Sequence, residues 1–229
     1  MPGLRLATES LNRSPLPCKV GGFMAILKRY LIPTVVIDSG SKLIRETSEE
    51  LVKGLNTYSE IAKRIFYFVR DEIKYTWEIP PYSHEYYVAS KILMDGKGYC
   101  VQKAVLLVAL ARSLGIPSRL RFADIRNHKL PKDIEEKRRT NLFIYHGYAE
   151  LFITGKWIKV TPLFDPEVHD KKGMPLVEFN GKDHAMLPRF DEKGNPWFEY
   201  VRDHGHYDDL PLEEIYKARA KAGEIHLFS

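Results

Sequence analysis

The sequence predicts an α+β fold, in which a buried helix opened by a cysteine packs on an antiparallel sheet. Three observations predict it. The stretch from Gly96 to Leu114 holds Cys100 followed by Val101, Ala104, Val105, Leu106, Leu107, Val108, Leu110 and Ala111, with only Gln102, Lys103, Arg112 and Ser113 polar. A helix that is apolar almost all the way round is a buried helix. After Gly115 the period changes, and Asn141–Thr154 and Lys156–Thr161 read as two strands joined at Thr154-Gly155, a plausible hairpin turn. Ahead of the cysteine, Tyr58–Lys74 reads as a further amphipathic helix, so a helical layer precedes the strands.

The elements follow in order. Residues 1–23 are rich in Pro and Gly with no visible period, and read as a flexible, dispensable tail ahead of Met24, of the kind an upstream start codon would add. Residues 24–229 read as a single domain without a splitting linker. Leu43–Lys53 is a predicted helix that Gly54 ends. A stronger helix runs from Tyr58 to Lys74, with Thr57 and Glu60 as a capping box and Ile61, Ile65, Phe66, Phe68, Val69 and Ile73 as its apolar stripe. Ile79-Pro-Pro81 stops regular structure, and Glu85–Met94 is a short helix leading to the cysteine loop. The Cys100 helix ends where Gly115 supplies a left-handed residue and Pro117 forbids continuation. Ser118–Ile125 reads as a strand. Asn127–Thr140 is a charged surface excursion with room for a short helix, and it can border a substrate groove. The chain after Thr161 reads as irregular until a last helix with Pro211 in its first turn, Glu213 and Glu214 early, Lys217, Arg219 and Lys221 late, and Gly223 as its stop.

Composition excludes several functions. The 229 residues are 44% hydrophobic and 28% charged, which describes a globular chain. The net charge of +5 is spread without a basic run or an aromatic–basic motif, so no nucleic-acid partner is expected. The longest apolar run, Ala104–Ala111, is too short to span a membrane, and the N-terminus lacks the apolar core of a signal peptide. Cys18 and Cys100 are the only cysteines, so a disulfide framework is not expected and a cytoplasmic setting fits. No calcium-loop pattern appears, and no cofactor is called for. Asp203-His-Gly-His-Tyr-Asp-Asp209 has no defensible ligand spacing and reads as a polar loop rather than a metal site, although Asp203 or His204 can line a cleft.

Cys100 meets unpaired N–H groups and the positive end of a helix dipole, which favours the nucleophilic thiolate. The alternative is a buried structural cysteine. A cysteine nucleophile needs a base. Of eight histidines only His146 lies inside a confident strand, where the alternative is a satisfied core histidine. Its partner depends on register. With Thr154-Gly155 as the turn, Glu150 faces Lys159 and His146 faces Leu163, with Thr161 and Asp165 diagonal to it. A turn at Gly155-Lys156 puts Asp165 directly opposite His146, and a three-residue turn puts it on the other face. Pro162 must interrupt the ladder or lie at its edge.

Gly98-Tyr-Cys-Val-Gln-Lys-Ala, Leu114-Gly-Ile-Pro-Ser-Arg119, Tyr145-His-Gly-Tyr-Ala-Glu150 and Gly155-Lys-Trp-Ile-Lys-Val-Thr-Pro162, with Phe66–Tyr75 as the preceding helix, resemble the transglutaminase-like superfamily over about residues 58 to 166. The resemblance implies a papain-like core and a Cys100–His146–acid triad. It implies acyl transfer from peptide or protein amides through a Cys100 thioester that an amine or water resolves, with a cysteine peptidase or a non-catalytic binding scaffold as alternatives. It implies an oxyanion site made by the Cys100 N–H and one more donor, with Trp77 as the candidate for an indole donor. Superfamily members commonly carry the acid as Val-Asp-Pro-Thr after the Trp strand. Here Thr161 stands in that place, so either Asp165 replaces the acid or His146 is oriented more weakly. Nothing in the sequence fixes the oligomeric state.

Overall fold

The computed structural model describes residues 26–223. The tail at residues 1–23, with Cys18, lies outside them, as does His226. Helices α1 (Lys42–Leu51) and α2 (Tyr58–Asp71) precede a short strand β1 (Lys74–Tyr75). Helix α3 (Ala89–Asp95), strand β2 (Lys97–Gly98) and helix α4 (Cys100–Ser113) lead into strand β3 (Ser118–Asn127). Then come α5 (Lys132–Arg138), β4 (Leu142–Ile153), β5 (Lys156–Val160), α6 (Pro166–Lys172), β6 (Phe198–Tyr207) and α7 (Leu212–Lys221). The main sheet is antiparallel with order β5-β4-β3-β6, and β1 pairs in parallel with β2.

Helix α4 is the centre of the core, with every residue from Cys100 to Arg112 buried. It packs on β4 and β3 on one side and on α1, α2 and α3 on the other. Each large aliphatic side chain buried this way stabilises the fold by roughly 1.5–3 kcal/mol. Gly115 has φ +76°, the left-handed conformation expected after the helix. The Thr57–Glu60 capping box is formed, with the Glu60 N–H donating to Thr57 Oγ1 (3.2 Å) and the Thr57 N–H to Glu60 Oε2 (3.2 Å). The fully buried Lys103 Nζ donates to Arg70 O (3.1 Å) and Ile73 O (2.7 Å), tying α4 to the carbonyls at the end of α2.

The hairpin has the register of a Thr154-Gly155 turn: Ile153 pairs with Lys156 and Glu150 with Lys159. Although the two face each other, Glu150 and Lys159 form no ion pair among the described residues. Glu150 is buried and accepts from Arg119 Nε (2.6 Å) and Arg121 Nη1 (3.1 Å), because β3 lies on the inner side of β4 and supplies both cations. Trp157 is packing, set edge-on to Tyr30 (5.0 Å) and beneath the Arg119 guanidinium (4.0 Å).

Two segments differ from the sequence reading. Pro166–Lys172 is a helix capped by Asp165. Phe198–Tyr207 is not a loop but the edge strand β6, which pairs with β3. Its register slips between the Phe122/Ala123 and Asp124/Ile125 pairs, leaving His204 and Val201 as extra residues. Such bulges erase the period of two that identifies a strand in sequence.

Candidate active site

Cys100 occupies the first position of α4, and Tyr99 before it is extended. The Gln102 side chain closes the turn, accepting from the Tyr99 N–H (3.2 Å) and donating to Tyr86 O (2.8 Å). The β1–β2 pair joins the approach to Cys100 with the segment carrying Tyr75 and Trp77, through Lys74 N–H to Gly96 O (2.8 Å) and Thr76 N–H to Gly98 O (3.3 Å). Gly147 brings β4 against the first turn of α4. A Cβ there would lie 2.9 Å from Val101 Cα, so only glycine permits this approach.

Cys100 and His146 line one cavity together with Tyr75, Trp77, Ile79, Tyr99, Arg138, Phe143, Ile144 and Arg219. Its free volume is about 20 Å³, room for one water-sized group. Cys100 is 8% exposed and His146 2% exposed. Ile79 also borders an open groove of about 520 Å³ lined by Glu78, Pro81, Tyr86, Lys91 and Gln102. Trp77 stands in the lining with its ring against Tyr75 (4.9 Å) and Phe164 (5.7 Å). Arg138, at the end of α5, brings the charged excursion to the cavity.

The electrostatics depart from the expected thiolate. Burial pushes the Cys100 thiol up, outweighing the Arg219 guanidinium, the Gly147 and Val101 N–H groups and Arg138, which all pull it down. Burial, with Arg219 adding to it, pushes His146 down to about 3. The closed site therefore holds a neutral thiol and a neutral imidazole at pH 7, because a helix N-terminus does not compensate for lost water.

The conformation of β4 next to His146 is unusual. Ala123 pairs with His146 and Ile125 with Phe143, so Ile144 and Tyr145 together oppose Asp124. Tyr145 has φ +53°, left-handed and strained for a tyrosine. Asp124 Oδ1 accepts from the Tyr145 N–H (3.0 Å) and lies 2.7 Å from His204 Nε2, and the His204 ring stacks on Tyr145 (3.9 Å). The bulges of β4 and β6 thus meet on one carboxylate.

The family model described as "Transglutaminase-like superfamily" matches residues 45–162, more than half of the chain. The chain belongs to the transglutaminase-like superfamily. No curated protein matches it. Among solved structures it is similar to a candidate cysteine protease from Cytophaga hutchinsonii, at 22% identity and TM-score 0.48, covering 66% of this chain and 45% of that one. It is also similar to a candidate protease from Parabacteroides distasonis (18% identity, TM-score 0.37, 60% of this chain and 25% of that one). A third is the periplasmic domain of TgpA from Pseudomonas aeruginosa (20%, 0.45, 61% and 47%). The chain spans less than half the length of each of these structures.

Within this superfamily frame, the acid is the part that differs. Asp165 does not line the cavity. Its Oδ1 accepts from the Glu167 (3.0 Å) and Val168 (3.3 Å) N–H groups, and its Oδ2 from the Tyr75 N–H (2.6 Å). The expected Asp165–His146 hydrogen bond is not among the bonds of the described residues, and His146 Nε2 is buried without a partner. The physical reason is that the β4–β5 ladder ends at Val160, so pairing no longer dictates where Asp165 points. Thr161 is buried, with its Oγ1 3.7 Å from Met186 Sδ. Asp203 forms an ion pair with Arg121, and no cluster of potential metal ligands occurs among the described residues.

Sequence reasoning missed Arg219, Asp124 and Tyr145. The readable sign for Arg219 was a cation in line with Leu212 and Ile215 on the buried face of the last helix.

Proposed function

We propose that this protein is a cysteine-dependent acyltransferase or hydrolase of peptide or protein amides. Cys100 attacks the carbonyl carbon while His146 takes the thiol proton. The amine leaves with that proton, and an amine or water then resolves the thioester. The observation that carries this reading is the enclosed cavity shared by Cys100 at a helix N-terminus and His146 on a rigid strand. The backbone N–H groups near Cys100 and the Trp77 indole are the oxyanion donors in this reading. Asp165 acts here as a positioning residue, because its bond to the Tyr75 N–H fixes the segment that carries Trp77. The adjoining groove, bordered by Ile79, gives an extended peptide a place to lie.

Because both groups are neutral at rest, proton transfer accompanies attack rather than preceding it. The test is thioester formation on Cys100, followed by intact mass with an N-blocked glutamine peptide and with an activated ester, in a Cys18→Ser background. Wild type acquires one acyl group on Cys100, Cys100→Ala acquires none, and His146→Ala reacts about a hundredfold more slowly or worse. Adding hydroxylamine or a primary amine separates transfer from hydrolysis. An adduct that forms equally fast without His146, or never on Cys100, rejects the mechanism.

A further inference from the structure

Among the described residues, two arginines, Arg219 and Arg138, and no carboxylate line the Cys100 cavity. Arg219 is 3% exposed. Its Nε donates to Ile144 O (3.0 Å), its Nη1 lies 3.4 Å from Tyr82 Oη, and its Cζ is 5.5 Å from the Tyr99 ring centre. Among the described residues its hydrogen-bond partners are Ile144 and Tyr82, and the titratable groups that act on it most are Tyr99, Tyr82 and Cys100, none a carboxylate. Those two contacts occupy two of the five N–H donors of a guanidinium.

Two other buried arginines, Arg112 and Arg70, are served differently. Arg112 donates to three carbonyl oxygens, of Ser118, Ile32 and Asp208. Arg70 pairs with Asp71 and Glu178. Arg219 alone among these three faces the cavity, placed there by the buried face that Leu212 and Ile215 also form. A desolvated cation without a counter-charge is destabilising, and the neutral Cys100 thiol does not provide one. An anion that arrives with the substrate does.

We propose that the acyl donor bears a free carboxylate beside its scissile carbonyl, that the closed cavity widens to admit it, and that Arg219 is the residue that pairs with that carboxylate. This rests on Cys100 being the nucleophile. The substrate class is then a peptide or amide whose acyl residue is itself acidic.

The test compares alkylation of Cys100 by iodoacetate, which is anionic, and iodoacetamide, which is neutral, in the Cys18→Ser background. Both reagents draw on the same thiolate, so their rate ratio cancels any effect of Arg219 on thiol ionisation and leaves the preference for the anion. Normalised to N-acetylcysteine under the same conditions, wild type prefers iodoacetate by about tenfold or more. Arg219→Gln brings the ratio to that of N-acetylcysteine, and Arg219→Lys, which keeps the charge in case the glutamine variant does not fold, retains part of it. A normalised wild-type ratio near one, or an unchanged ratio in Arg219→Gln, overturns the assignment. Where neither reagent reaches Cys100, the melting temperature is measured with glutarate and with its neutral diamide. An Arg219-dependent shift with glutarate alone supports the carboxylate site, and its absence overturns it. Thioester formation on Cys100 without anion preference rejects this inference and leaves the proposed function standing. Absence of thioester rejects the function first.

Discussion

Gly147 shows how much a single residue decides here. Its backbone is where β4 touches the first turn of α4, and its N–H is one of the groups that pull the Cys100 thiol down. In Gly147→Ala the new Cβ meets Val101 Cα at 2.9 Å, which is backbone and cannot swing aside. The strand and the helix must separate, at a cost of about 1–3 kcal/mol. The expected result is a lower urea midpoint together with slower thioester formation on Cys100, and a variant with wild-type stability and rate would contradict the close approach. The elements that carry Cys100 and His146 were legible in sequence, one as an apolar run closed by Gly115 and the other as an alternating strand. The place of Asp165 was not, since cross-strand register carries information only as far as the ladder, and this ladder stops at Val160.

Strand β4 earns its odd shape at the level of the element. A left-handed tyrosine costs on the order of 1 kcal/mol and persists only when its surroundings hold it. Here the holder is the Asp124 carboxylate, shared by the Tyr145 amide and His204, with ring stacking below. The bulge it stabilises directly precedes His146 in the strand. Asp124→Ala leaves a buried amide without an acceptor, so stability falls by about 1–3 kcal/mol. The diagnostic readout is local: the Tyr145 amide, protected from hydrogen exchange in wild type, exchanges rapidly in Asp124→Ala well below its melting temperature. Equal protection in both proteins would remove Asp124 from this role. Sequence reading found β4 and missed β6 for the same reason. Bulges break alternation, and β6 has two within ten residues while β4 has one within twelve.

The whole molecule is organised around α4, and its pH dependence should betray that. Lys103 sits inside the core, wholly buried, on the same helix as Cys100. In sequence it looked like one of few polar breaks in an apolar helix, and nothing there distinguished a buried ammonium from a solvated one. Its Nζ reaches the carbonyls of Arg70 and Ile73 at the negative end of α2, which partly replaces water. Burial still dominates and pushes Lys103 down to about 7, against the pull of Asp165 and Asp71. A lysine in the unfolded chain titrates near 10.4 or so. Between these values the unfolded chain binds more protons than the folded one, so stability rises with pH across that window, and the penalty is present in full below about pH 7. Its size is on the order of 4 kcal/mol. Lys103→Met removes the titrating group while keeping the length of the side chain. Unfolding by urea at about pH 7.5 and about pH 9.5 should show wild type gaining stability and the variant gaining markedly less. The comparison of slopes, rather than of absolute stabilities, is the decisive one. The variant also leaves two carbonyls without their donor, which offsets stability equally at both pH values. Identical slopes would mean that Lys103 is solvated in solution, and that the packing of α4 against α2 is looser than the buried helix requires.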